Sequence, residues 1–452
     1  MASGYSFLNS LFILFGAVTC AAMVYAAFIS FRENERRALC IFTALAILLP
    51  LPYLVAGCFH FTYQAPVAGI LIFLTGGILL LFFFPVGRKQ IVEDDDPVER
   101  IDERDIMFSR NLLEAGTERY SEYYARHPDK KVLDDKFRSR PGLLKPGATY
   151  FHPYAFSSAN ASFITVEHLR DIVEGKPAEQ RVRTDAEKIT VYIKHWARKL
   201  GALHAGVTRL KNYHLYTHVG RGPDYGKPVT LQHAFAIVFT VEMDKRMLDS
   251  APAGPTVMES SQQYLASGTI AVQVAQFIRN LGYPARAHID GNYRIVCPLV
   301  ARDAGLGEIG RMGLLMTPSL GPRVRISAVT TDLPLAIDTR KKDFTMTDFC
   351  RQCKKCANIC PAGAIPAGDR QEIGGVKRWQ INQEGCFTFW CQAGTDCALC
   401  VRACPFSHPD NAFHNTIRYG VRKSSLFRRL AVSMDDLFYG SHPPPGDLPR
   451  WM

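Results

Sequence analysis

Two long stretches of this chain carry no charge. Residues 7–31 and 38–86 contain no Asp, Glu, Lys or Arg. A membrane-crossing helix needs about 20 apolar residues. The first stretch therefore holds one span and the second holds two, broken near residues 60–66 by polar and aromatic side chains. An export signal is missing as well. A twin-arginine signal sets its arginine pair before the apolar run, and here Arg36 and Arg37 follow it. A cleaved leader is shorter and ends at small residues ahead of a soluble chain, so three retained helices are expected. The amino end and the second loop have no Lys or Arg. The first loop has Arg32, Arg36 and Arg37, and Arg88 and Lys89 follow the third helix. Positive loops stay inside, which sets the large carboxyl portion in the cytoplasm. His60 is the one histidine in the apolar region. A haem held by two membrane histidines is thus excluded, and the anchor is expected to tether through lipid contact.

A concentrated basic tract is also lacking. Net charge is +11, but Lys and Arg are spread along the soluble part, which argues for a solvated surface and against a nucleic-acid footprint. No low-complexity segment is present. Cysteines are not scattered as in a disulfide scaffold: nine of the thirteen lie between Cys350 and Cys404. Such clustering points to metal in a reducing compartment.

The cysteines that are present form two half-motifs. In FCRQCKKCANICPAGAI, Cys350, Cys353, Cys356 and Cys360 follow C-x2-C-x2-C-x3-C, and Pro361 comes next. This is the bacterial ferredoxin spacing for [4Fe–4S] clusters, in which the fourth cysteine ligates the other cluster of a pair. In CFTFWCQAGTDCALCVRACPFS, Cys397, Cys400 and Cys404 close a second set, which Cys386 or Cys391 can complete. Three closely spaced thiolates reach one cubane, and the proline fixes the exit because it cannot continue the preceding hydrogen bonds. Crossing over gives one cluster on Cys350, Cys353, Cys356 and Cys404, and a second on Cys360, Cys386, Cys397 and Cys400. Cys391 is then a spare buried thiol, or it exchanges roles with Cys386. Zinc sites rarely repeat this spacing. The pattern predicts single-electron transfer.

Between anchor and cysteines, residues 93–105 form an acidic run (EDDDPVERIDERD), read as a solvated segment. The stretch to about 153 is aromatic, basic and rich in Pro and Gly, and reads as an extended wrap. From Thr184 the pattern is regular. Ile189, Ile193, Trp196, Leu200 and Leu203 keep a helical period, with Thr184 and Asp185 as start signals and Gly201 near the stop. Residues 233–243 read as a buried strand, and residues 259–281 as a helix ending at Gly282 with a stripe of Tyr264, Gly268, Ala271, Ala275 and Ile278. Strands are expected from Arg286 and over residues 324–331. Alternating helices and strands indicate an α/β or α+β sheet core of roughly 180 residues. Within it, DAGLGEIGR places Gly305, Gly307 and Gly310 in a loop too glycine-dense for an ordinary connection, which suggests backbone wrapped against a cofactor. It is not a dinucleotide fingerprint. Expected domains are 1–88 (anchor), 89–150 (acidic linker and wrap), 151–340 (core), 341–412 (cluster module) and 413–452 (tail).

The order DAGLGEIGRMGLLMTPSLGPRVRISAVTTDLPL, DFCRQCKKCANICPAGAI and CFTFWCQAGTDCALCVRACPF resembles the cobalamin-dependent reductive dehalogenases, over about residues 155–409. The resemblance implies an α+β fold with a nitroreductase-like core that binds base-off cobalamin, and a ferredoxin-like module with two [4Fe–4S] clusters. It implies cob(I)alamin acting on the carbon–halogen bond of an organohalide, here expected to be a halogenated aromatic. By position, Tyr264 fits the family's proton donor, Arg325 or Arg323 its cationic partner and Asn292 a polar neighbour. Arg323 and Arg325 are expected on one strand face, with Arg325 favoured. Gly305, Gly307, Gly310 and Arg311 are expected at the cofactor, and His204, His214, His218 and His288 are further candidates. Family members that respire organohalides usually pair with a separate small anchor and carry an export signal. A fused anchor instead implies a multi-pass protein of the bacterial inner membrane, facing the cytoplasm and supplied by ferredoxin or flavodoxin. Epoxyqueuosine reductase has a similar AGLG loop and paired clusters. A cobalamin reductase of that type, or a membrane iron–sulfur relay without cobalamin, is the alternative.

Overall fold

The computed structural model describes residues 2–59, 63–84, 96–340 and 342–452. His60, Arg88, Lys89 and the start of the acidic run at 93–95 lie outside them. The chain divides into two units, Met1–Gln90 with Asp410–Pro443, and Ile91–Pro409 with Pro444–Met452.

In the first unit, the uncharged sequence folds as helices Ala2–Arg32, Arg36–Leu48, Leu51–Cys58 and Gln64–Phe83. Two stretches, Asn9–Arg32 and Arg36–Cys58, are long and apolar enough to cross a membrane. Their outward side chains are apolar too: Phe28 is 53% exposed, Ile47 64% and, on the helix Gln64–Phe83, Phe73 79%. A water-facing surface seldom carries so much contiguous apolar area. The segment expected as a tail forms two helices, Ala412–Lys423 and Ser425–Tyr439, that belong to this unit. Phe438 stacks on Phe42 at 4.1 Å, Arg37 Nε donates to Leu437 O at 2.9 Å, and Glu33 accepts from Asn411 Nδ2 at 2.8 Å.

The second unit is built on a four-stranded antiparallel sheet. Its strands are β1 (His204–Arg209), β2 (Phe235–Glu242) and β3 (Ala285–His288), and, after the short hairpin β4 (Glu308–Ile309) and β5 (Leu315–Met316), β6 (Val324–Thr331). The order is β1-β2-β6-β3. β2 and β6 are central, which explains the nearly unbroken apolar run of β2 and the burial of most of both strands. The helix Gly254–Asn280 lies over β6, β3 and β2, with Ile270, Ala271, Val274, Ala275 and Ile278 buried in the main core. It starts earlier than its periodicity suggests because Pro255 favours a first turn, and it ends before Gly282 at φ +80. A Cβ on Gly268 would lie 3.3 Å from Val166 Cγ2, so the glycine lets the helix Pro153–His168 approach closely. The expected helix at 184 is observed as Ala186–Lys199, capped by Asp185, whose carboxylate accepts from Lys188 N at 2.9 Å.

Residues 96–150 are neither extended nor a solvated linker. They hold helices Met107–Arg110, Glu118–Arg126 and Pro128–Arg138. Glu103 is 1% exposed and accepts from Gly220 N at 2.8 Å and Arg221 Nε at 3.0 Å. Arg110 is fully buried between Asp134 and Glu384, meeting Glu384 Oε1 at 2.9 Å. Each charge is matched by a residue more than twenty positions away, which a local charge pattern does not reveal.

Candidate active site

The last part of this unit presents the cysteines on short helices: Phe344–Cys353, Lys355–Asn358, Gln383–Ala393 and Leu399–Arg402. The hairpin of β7 (Gln371–Ile373) and β8 (Val376–Arg378) lies between the two halves. Cys404 stands within electrostatic reach of Cys350, Cys353 and Cys356. Cys386 and Cys397 stand so to Cys360, and Cys397 also to Cys386. Cys400 faces Cys397, Cys356, Cys386 and Cys360. Cys391 has no thiol neighbour of this kind and is buried beside Met107, Phe137 and Phe387. Burial pushes the thiols up, Cys397 and Cys356 to about 12 and Cys386 to about 11. A coordinated metal offsets such a cost by deprotonating the thiol outright.

The donor set fits a cluster better than a single ion. Sulfurs around one tetrahedral zinc at ~2.3 Å sit about 4 Å apart. Among the described residues, no three of these thiols lie within 4.8 Å of one another. The thiols fall into two groups, as a pair of iron–sulfur cubanes would require, and Cys386 rather than Cys391 stands near Cys360 and Cys397.

Beside the second group, Arg325 leaves the central strand β6 and covers the ring of Tyr264, with Cζ 4.7 Å from its centroid. Arg325 Nη2 donates to Asp396 Oδ2 at 2.9 Å and also meets Ser260 Oγ. Burial raises the pKa of Tyr264, and Arg325 opposes that rise. The phenol is therefore protonated at neutral pH, with a cation placed to stabilise its anion. Asp290, Asp396 and Arg221 lie within electrostatic reach of the same ring, and Tyr293 belongs to the set through Asp290 and Tyr264. The hydroxyls of Tyr264 and Tyr293 make no hydrogen bond among the described residues. Arg325 Nε and Asp396 Oδ1 are buried without partners. Orphaned polar atoms in the ion pair beside the tyrosine fit a site completed by a bound polar group, and a corrinoid with its rim of amides is such a group.

The other expected residues go elsewhere. Arg323 precedes β6 rather than sharing a strand face with Arg325. It is 2% exposed and is held by Ser407 O at 2.9 Å and Glu242 Oε1 at 2.7 Å. Asn292 Oδ1 accepts from Arg286 Nη2 at 2.5 Å, which ties it to the wall of a separate cleft of about 810 Å³ lined by Arg286, Arg294, Asp224 and His233. His214 is satisfied by Asp303 Oδ2 at 3.0 Å, His218 by Asp102 Oδ2 at 3.0 Å, and His288 by Thr330 Oγ1 at 2.9 Å.

The glycine loop has packing duties. Gly305, at φ +77, turns the chain out of the helix Cys297–Asp303. A Cβ on Gly307 would run into the backbone of Met316 on β5, and one on Gly310 would sit 2.6 Å from Met316 Cγ and 3.6 Å from Cys350 Sγ. Arg311 is fully buried. It donates to the carbonyls of Cys350 (3.0 Å), Pro366 (2.6 Å), Gly368 (2.7 Å) and Arg351 (3.3 Å), and its Cζ lies 4.5 Å from the Trp379 ring centroid. The loop is thus packed between β5 and the first cysteine loop. Asp396, Ser260, Asp290, Arg221 and Tyr293 escaped the sequence reading; only Asp396, next to Cys397, had a positional clue.

Known proteins match these regions. A 4Fe–4S dicluster domain matches residues 349–408. A tetrachloroethene reductive dehalogenase of Sulfurospirillum multivorans is 30% identical over 294 residues, covering 57% of this chain and 58% of that protein. One from Desulfitobacterium hafniense is 33% identical over 240 residues, 51% of this chain and 43% of that protein. The solved structure described as a reductive dehalogenase suggesting a mechanism for B12-dependent dehalogenation superposes with a TM-score of 0.63 at 24% identity. The match covers 78% of this chain and 49% of that one, and shows a shared fold. The chain spans about half the length of the relatives it matches. In sequence and in its dicluster segment the chain is thus similar to proteins named reductive dehalogenases, and it shares their fold.

Proposed function

We propose that this protein is a membrane-anchored reductive dehalogenase that removes halogen from an organohalide. The observation that carries the reading is the Tyr264–Arg325 pair beside two groups of four cysteines. Cys350, Cys353, Cys356 and Cys404 would hold one [4Fe–4S] cluster, and Cys360, Cys386, Cys397 and Cys400 the other. When bound, the clusters carry single electrons and a corrinoid supplies the reduced cobalt that acts on the carbon–halogen bond.

The chain's own residues supply the proton and the setting. Tyr264 gives its phenolic proton to the carbon that loses halogen, and Arg325 stabilises the phenolate left behind. Asp396 and Ser260 hold the guanidinium in place. Arg323, Asn292 and the glycine loop support this arrangement from a distance. Tyr264 and Tyr293 offer ring faces suited to a flat halogenated aromatic. Electrons enter from a small acidic donor such as ferredoxin or flavodoxin at the first cysteine group, where Cys353 is partly exposed and Arg351 and Lys354 are exposed. Two stretches, Asn9–Arg32 and Arg36–Cys58, rather than the three expected from sequence, would anchor the protein in the bacterial inner membrane, with the catalytic part in the cytoplasm on the sidedness of its loop charges.

Metal analysis of protein prepared without oxygen and with cobalamin supplied should find about eight irons and one cobalt per chain. Eight irons without cobalt would leave an electron relay instead. Tyr264→Phe should lower dehalogenation about 10²–10⁴-fold with metal content unchanged. Near-normal turnover in that variant would remove Tyr264 as proton donor.

A further inference from the structure

Asp396 stands where the tyrosine and the second cysteine group meet. Its Oδ2 accepts from Arg325 at 2.9 Å, and Arg325 in turn covers Tyr264. Its Oδ1 is buried with no hydrogen bond; burial raises the pKa of Asp396, and the Arg325 guanidinium opposes that rise and favours the carboxylate. The thiols of Cys386 and Cys397 lie within reach of the same carboxylate. The first cysteine group has the opposite neighbour: the guanidinium of Arg311 reaches Cys356, Cys350 and Cys353. A fixed anion beside a redox centre opposes an added electron and a fixed cation favours it, and both effects grow away from water.

We propose that Asp396 is a positioning residue whose charge lowers the reduction potential of the cluster on Cys360, Cys386, Cys397 and Cys400 while holding Arg325 over Tyr264. The inference rests on the two-cluster reading above. It makes the centre beside the tyrosine the stronger reductant, and leaves the centre beside Arg311 the easier one to reduce from outside. The electron and the proton are then governed from one carboxylate.

Potentiometric titration followed by electron paramagnetic resonance, on anaerobic holoenzyme with its full iron, tests this. Asp396→Asn should shift the second cluster's midpoint upward and leave the first where it was. Asp396→Glu should restore the low value. Asp396→Ser should shift that midpoint upward as Asp396→Asn does. An unmoved midpoint in Asp396→Asn, or an equal shift of both clusters, overturns the proposal. Should Asp396→Asn lose iron, Asp396→Ser decides, and an unmoved second midpoint there overturns it. Wild-type protein without eight irons would overturn the two-cluster reading instead.

Discussion

Residues 354–361 and 398–405 repeat one piece of backbone, although Cys397 is also left-handed (φ +60) where Cys353 ends a helix. Lys354 sits at φ +57 and Ala398 at φ +54, each between two cysteines two residues apart, and a proline follows Cys360 as it follows Cys404. A left-handed residue other than glycine costs roughly 1 kcal/mol or more, so the turn is retained for what it does with the thiols. The surroundings differ. The first copy carries Arg351, Lys354 and Lys355 and leans on buried Arg311. The second carries Ala398, Leu399 and Val401 and leans on buried Asp396, which is tied to Arg325. The same ligand turn can thus serve two ends of an electron path, one facing water and a cationic surface, the other enclosed beside the tyrosine.

The comparison breaks hardest at the crossed cysteines. Cys404→Ala should empty the first site although it lies in the second motif, and Cys360→Ala should empty the second. Iron should fall from about eight to about four per chain in each, with paramagnetic resonance showing which signal is lost. Loss of the site in the variant's own motif would mean the ligands are not crossed. Arg311→Gln strips hydrogen bonds from four carbonyls around the first loop. An unsatisfied buried group costs about 1–3 kcal/mol, so denaturant stability should drop by about 3 kcal/mol and the first cluster should be lost before the second. Equal loss of both would assign Arg311 a global role. Cys391→Ala should matter least, costing about 1 kcal/mol of packing with iron unchanged. If it lost iron where Cys386→Ala did not, the two cysteines would exchange roles.

Much of the fold could be read from pattern. β6 is found where the sequence set it, and Asp185 and Gly282 mark helix ends because caps depend on neighbours in the chain. The candidate ligand cysteines were legible for the same reason, since a cubane imposes its spacing locally. The polar network was not. Glu103, Arg110 and Asp396 look like surface charges until partners as distant as Gly220, Glu384 and Arg325 are brought in. The glycine loop could be read only in part, because close approach to Met316 and close approach to a cofactor leave the same mark in sequence: a missing side chain.

The first unit is assembled from both ends of the chain. Its opening helices finish at Phe83, and the helices that complete it begin at Ala412. A ribosome adding about 5–20 residues per second needs roughly half a minute to cross that interval. Through that time Phe42 waits for Phe438, and the opening helices exist without the pair that packs on them, while the whole sheet and both cysteine groups are being made. The first unit is thus begun before the sheet and completed after it.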